Sequence, residues 1–123
     1  MRQRIVVGAS AWLEIIVGAL FVTVPDVPCL LLFGVKPEAI GMTLGRFLGI
    51  ALLALGFVCL PSRDTGPRRN VVPGLLAFNA AVAILFACVG VAGAHRGLLL
   101  WPVVILHAVI AGALLPGVLV KDS

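Results

Sequence analysis

Four stretches of about 20 apolar residues, separated by short breaks of proline, glycine and charge, leave this chain few ways to fold. They run from about 5 to 24, 39 to 60, 71 to 93 and 98 to 120. A helix of that length crosses the roughly 30 Å hydrocarbon core of a bilayer. In lipid, only helices and closed barrels satisfy their own backbone. Of the 123 residues, 62% are hydrophobic and 11% are charged. A soluble domain carries roughly a quarter charged residues. The mean hydropathy of +1.22 agrees. The pattern predicts one all-α domain over residues 1–123, a four-helix transmembrane bundle running up-down-up-down. Pro25, Pro28 and Pro37 mark the first break, and Pro61, Gly66 and Pro67 the second. Pro73 and Pro102 fall in first turns, where a missing N–H costs little.

The basic residues set the orientation. Arg2, Arg4, Arg63, Arg68, Arg69 and Lys121 would lie on one side, and Lys36 and Arg96 on the other. The richer side is expected to be cytoplasmic, so both termini are placed there, in a plasma or bacterial inner membrane. The same account covers the net charge of +4. No basic stripe with interleaved aromatics is present, and nucleic acid is not an expected partner. Arg2 and Arg4 before an apolar run suggest a signal peptide, but Glu14 interrupts that run and Pro25 follows it. The segment is read as a retained helix.

Residues 27–34, VPCLLLFG, are too apolar for a free loop and too few to span. An interfacial or re-entrant piece lying on the bundle is expected. Cys29 falls in it, either free or in an intermolecular disulfide, while Cys59 and Cys88 sit in apolar helices. No CxxC or Cys/His spacing implies zinc, and no cofactor is expected. Residues 94–97 allow only a tight hairpin between the last two helices, with Trp101 near the outer interface.

Small residues recur at helix-packing spacing. Gly41, Gly45 and Gly49 make two overlapping GxxxG motifs, and Ala77/Ala81, Ala83/Ala87 and Ala108/Gly112 follow the same spacing. Such residues let backbones approach closely, either inside one bundle or at a homodimer face.

Each helix carries one strongly polar residue near mid-depth: Glu14, Arg46, Asn79 and His107. A charge at a helix centre costs roughly 2.5–3.5 kcal/mol or more, which argues for pairing, and Glu14 with Arg46 is the expected pair. Ser10, Glu14 and Gly18 share one helix face. The set is either internal glue or a proton or ion site, with Glu14 titrating and His107 as a second relay group. At an offset of 65 residues Glu14 falls on Asn79, Leu20–Phe21 on Leu85–Phe86 and Val6–Val7 on Val71–Val72. That hints at two parallel repeats. No GxSxG, HExxH, P-loop or paired carboxylates occur, so an enzyme is not the first expectation.

The segment ASAWLEIIVGA (9–19) around Glu14 is superficially similar to the small multidrug resistance transporters. That similarity implies a glutamate exchanging protons for cations. The chain departs from that pattern in having no tyrosine and in carrying Arg46 at depth. LLFG (31–34), GRFLGIALLALG (45–56), FNAAVA (78–83) and GLLLWPVVILHAV (97–109) resemble a group of uncharacterised bacterial four-helix integral membrane proteins. This resemblance implies the fold and no mechanism. The leading expectation is a non-catalytic structural or accessory subunit, partnered by lipid and by larger membrane subunits or further copies of itself. The alternatives are a small proton-coupled transporter or channel using Glu14, and a protein that handles lipid or quinone.

Overall fold

The computed structural model describes residues 2–60 and 70–120. Within them the chain forms α1 (Arg2–Thr23), α2 (Asp26–Phe33), α3 (Ala39–Cys59), α4 (Val71–Ala92), α5 (Leu100–Leu114) and α6 (Pro116–Leu119). Four segments are long and apolar enough to cross a membrane: α1, α3, α4 and the run Leu100–Leu119 made of α5 and α6. The protein is thus a small all-helical bundle built for a bilayer. Pro61, Arg63, Gly66, Pro67, Arg68, Arg69 and Lys121, which entered the sequence reading, lie outside the described residues.

The fourth span is interrupted rather than continuous. Pro116 has no N–H to give the carbonyl one turn back, so the helix breaks there. Bonding resumes with Leu119 N donating to Leu115 O (3.2 Å) and Val120 N to Pro116 O (3.0 Å).

α1 and α3 pack antiparallel, backbone against backbone. Ala11 and Ile15 face Gly56, Gly18 faces Gly49, and Phe21 and Pro25 face Gly45. A Cβ on Gly49 would lie 2.6 Å from Gly18 O, and one on Gly18 would lie 2.8 Å from Gly49 O. Only glycine permits that approach, and it brings many carbon atoms of the two helices into dispersion contact. Gly45 and Gly49 are thus used inside one chain, while Gly41 lies beside the Pro37 side chain.

α4 and α5 form a second antiparallel pair. Trp101 lies over Gly90, where a Cβ would meet Cζ2 at 2.8 Å. Asn79 and His107 meet further along, and Leu75 and Leu114 share a cluster beyond them. The two pairs close around two apolar clusters. One holds Val7, Ala11, Cys59, Val72, Leu75 and Leu114. The other holds Phe21, Leu32 and Leu52, with Phe33, Phe78, Phe86 and Val103 packed on it. Gln3 of α1 lies against Gly117 of α6, so the start of the first helix and the end of the last sit together.

The apolar stretch after α1 is helical. α2 buries Pro28 and Leu32, one turn apart, on the bundle. Phe33 meets Phe86 edge-on, with centroids 5.6 Å apart and planes at 84°. Its end is tied down by α2 carbonyls that accept from the α4–α5 connection: Gly97 N donates to Leu32 O (2.9 Å) and Leu99 N to Leu31 O (2.8 Å). The second half of the chain joins its two spans without such a helix, so the two halves differ most at this end.

Gly49→Ala is expected to force α1 and α3 apart and destabilise the bundle by about 1–3 kcal/mol, the usual cost of overpacking. Gly74 has no atom within 4 Å of its Cβ position. Gly74→Ala should therefore be neutral or stabilise by up to about 1 kcal/mol through helix propensity. Equilibrium unfolding in detergent checks both, and equal effects would contradict the close-approach account.

Candidate functional site

Among the described residues four polar side chains are buried: Ser10, Glu14, Asn79 and His107. Glu14, Asn79 and His107 each lie between the two apolar clusters along their helices, and Ser10 lies within the first. Glu14 falls between Ala11 and Phe21, Asn79 between Leu75 and Phe86, and His107 between Val103 and Leu114. Three of the four mid-depth residues read from the sequence therefore enter the interior, and Arg46 does not.

Glu14 is 2% exposed and Ser10 is 0% exposed. They stand one turn apart on the same face of α1. Glu14 Oε1 and Ser10 Oγ are fully enclosed with no hydrogen-bond partner. Buried polar atoms without partners are uncommon in folded proteins. Two adjacent ones that include a carboxyl oxygen single out this face of α1 as the candidate site for a proton or a small cation. The face is crowded with small residues, Ala11 and Gly18 among them, which is why α3 can close over it.

Arg46 is solvent- or lipid-exposed, and its Nε donates to Val22 O at 3.3 Å. The expected ion pair with Glu14 is replaced by this bond. Glu14 lies eight residues before Val22, roughly 12 Å away along the axis at about 1.5 Å per residue. A long basic side chain in a membrane helix extends toward the nearer interface. There it meets Val22 O at the C-terminal end of α1, where the last carbonyls carry partial negative charge and lack donors within their own helix.

Asn79 and His107 form the one connected polar pair of the interior among the described residues. His107 Nδ1 lies 2.7 Å from Asn79 Oδ1. Asn79 Nδ2 donates to Leu75 O at 2.8 Å, one turn back on its own helix. Phe78 stands edge-on to the imidazole, with ring centroids 6.1 Å apart and planes at 76°. The amide thus spans from a backbone carbonyl to the ring. Sequence reading located both residues by depth alone, and their contact required the packing of α4 on α5.

At the other end, Arg96 Nε donates to Gly90 O at 2.8 Å and caps α4, whose C-cap Gly93 is left-handed (φ 78°). Cys29, Phe33, Val35, Pro37, Val89 and His95 line an open apolar cavity of about 300 Å³ beside α2. Cys29 is a free thiol. Burial raises its pKa, and the nearby Asp26 carboxylate raises it further. Less thiolate is present at neutral pH as a result, which makes Cys29 a poor nucleophile. No group of three or more metal-ligating side chains occurs among the described residues.

Glu14 and Arg46 should behave as independent sites. A double-mutant cycle of Glu14→Gln and Arg46→Leu, followed by unfolding in detergent, is expected to give a coupling energy within about 0.5 kcal/mol of zero. Arg46→Leu alone should cost about 1.5–3 kcal/mol, the worth of a hydrogen bond from a charged donor. A coupling of several kcal/mol would restore the ion pair. No protein-family model, no curated protein and no solved structure matches this chain, so its assignment as a small multi-pass membrane protein rests on its own four spans.

Proposed function

We propose that this protein takes up and releases a proton at Glu14, in the core of a four-helix bundle that spans a bacterial inner membrane with both chain termini in the cytoplasm. The observation that carries the reading is the enclosed carboxyl oxygen of Glu14 with no partner. An ionised carboxylate without a counter-charge in such surroundings costs several kcal/mol. Charge at Glu14 therefore comes and goes with a proton or a small cation. Arg46, the basic residue that could have neutralised it permanently, is committed to the α1 carbonyls. The orientation is supported by the distribution of arginine and lysine and by the contact of Gln3 with Gly117.

In sealed vesicles with an imposed proton gradient, the parent protein should relax the gradient faster than empty vesicles. Glu14→Gln should abolish the added rate while the protein stays folded by circular dichroism and elutes unchanged on gel filtration. Equal rates for parent, variant and empty vesicles would remove proton handling.

A second reading, an accessory subunit of a larger membrane assembly, is favoured by one observation. The last span exposes Ala108 and Gly112 one turn apart, and nothing lies within 4 Å of a Cβ placed on Gly112. That small-residue seam is open to a helix from another chain. Under this reading Gly112→Leu leaves the isolated protein as stable as the parent but abolishes co-purification of a larger subunit from native membranes. If the same subunits are retained by both proteins, the seam is not the contact.

A further inference from the structure

The Asn79–His107 pair fixes more than a contact. Leu75 O is a carbonyl oxygen and can only accept, so the Asn79 group 2.8 Å from it must be the amide NH₂. The amide oxygen is then the atom that faces His107 Nδ1 at 2.7 Å. An amide oxygen also only accepts, so Nδ1 must carry the hydrogen. In the neutral ring the lone pair is consequently on Nε2, which points away from Asn79. Flipping the amide would set two acceptor oxygens against each other at Leu75, and turning the imidazole over would put Cδ2 in place of Nδ1 and give up the bond to the amide oxygen.

We propose that His107 exchanges its proton through Nε2 alone and is the second proton-carrying group of the core, with Asn79 as the positioning residue that closes Nδ1. The proposal rests on Glu14 being the first such group. Proton uptake forms an N–H bond at Nε2 and turns the ring into an imidazolium. The Nδ1–H bond to Asn79 persists and stabilises the charged form. Release breaks the same Nε2–H bond and returns the same tautomer. Because the amide oxygen does not take a proton at these acidities, no proton passes through the ring from Nε2 to Nδ1 and onward. His107 is therefore a one-sided acceptor rather than a link in a wire. The other titratable side chains buried in this core are Glu14 of α1 and Cys59 of α3. A proton leaving Glu14 and one arriving on His107 leave a carboxylate and an imidazolium in the same interior, with no net charge created there.

The test is nitrogen NMR on the full chain in lipid bilayers, labelled at histidine, in a His95→Gln background so that His107 is observed alone. The neutral ring is expected to show its hydrogen on Nδ1 and an unprotonated Nε2, and acidification should protonate Nε2 while the Nδ1–H signal stays. In Asn79→Leu the neutral ring should shift toward the Nε2–H form, with most of the Nδ1–H signal lost. An Nε2–H ring in the parent, or an Nδ1–H ring that survives Asn79→Leu, overturns the proposal. The parent spectrum decides alone if Asn79→Leu does not fold. The vesicle experiment separates the two readings. The expected tautomer without gradient relaxation removes transport and keeps the locked ring, whereas relaxation with an Nε2–H ring keeps Glu14 and removes His107.

Discussion

Inside a bilayer a backbone carbonyl at a helix end cannot be left to water, and this structure is organised around that constraint. α1 stops at Thr23 because Pro25 has no N–H to offer, and Arg46 supplies a donor to Val22 O. α4 stops at a left-handed Gly93, and Arg96 reaches back to Gly90 O. α2 ends at Gly34, and the N–H groups of Gly97 and Leu99 bond to its last carbonyls. All three repairs lie at the same end of the bundle, where α2 and the α4–α5 connection meet. Each uses a donor from outside the helix it completes, so local chain breaks become tertiary ties.

The use of Arg46 as a backbone donor changes the character of the interior. Had its guanidinium met Glu14, the core would hold a permanent ion pair, whose net contribution to stability is often small. With Arg46 exposed, Glu14 and Ser10 are enclosed by small residues and apolar walls, and Glu14 Oε1 and Ser10 Oγ have no partner among the described residues. The close approach of Gly18 and Gly49 makes that enclosure tight, because the two backbones meet there with no Cβ between them. Packing and polarity are thus set by the same glycines.

The second pair of helices treats polarity differently. Asn79 and His107 satisfy each other and the Leu75 carbonyl, and Phe78 stands edge-on to the ring. One half of the core therefore has a carboxyl oxygen without a hydrogen-bond partner among the described residues, and the other has a hydrogen-bonded amide and imidazole. The lipid-facing side chains, among them Ile40, Phe47, Ile105 and Leu119, carry no comparable demand. Their task is solubility in hydrocarbon.

The sequence by itself determined the four spans and their approximate limits, because about 20 apolar residues in a row have one stable use. It also singled out the four polar residues, the apolar piece between the first two spans that lies on the bundle, and the glycines available for close packing. It did not decide partners. Depth arithmetic placed Arg46 within reach of Glu14, and only the tertiary structure showed a nearer acceptor at the end of α1. Spacing allowed the GxxxG glycines to face either a second copy or α1. The register of α1 on α3 assigned Gly45 and Gly49 to α1. The hydrogen on His107 was equally out of reach, since it depends on which atom of Asn79 faces the ring and hence on a carbonyl one turn away. The physical reason is common to all three. Hydrophobic burial in a membrane is read from composition along the chain, whereas hydrogen bonds and close contacts depend on a few ångströms between residues that the chain brings together from far apart.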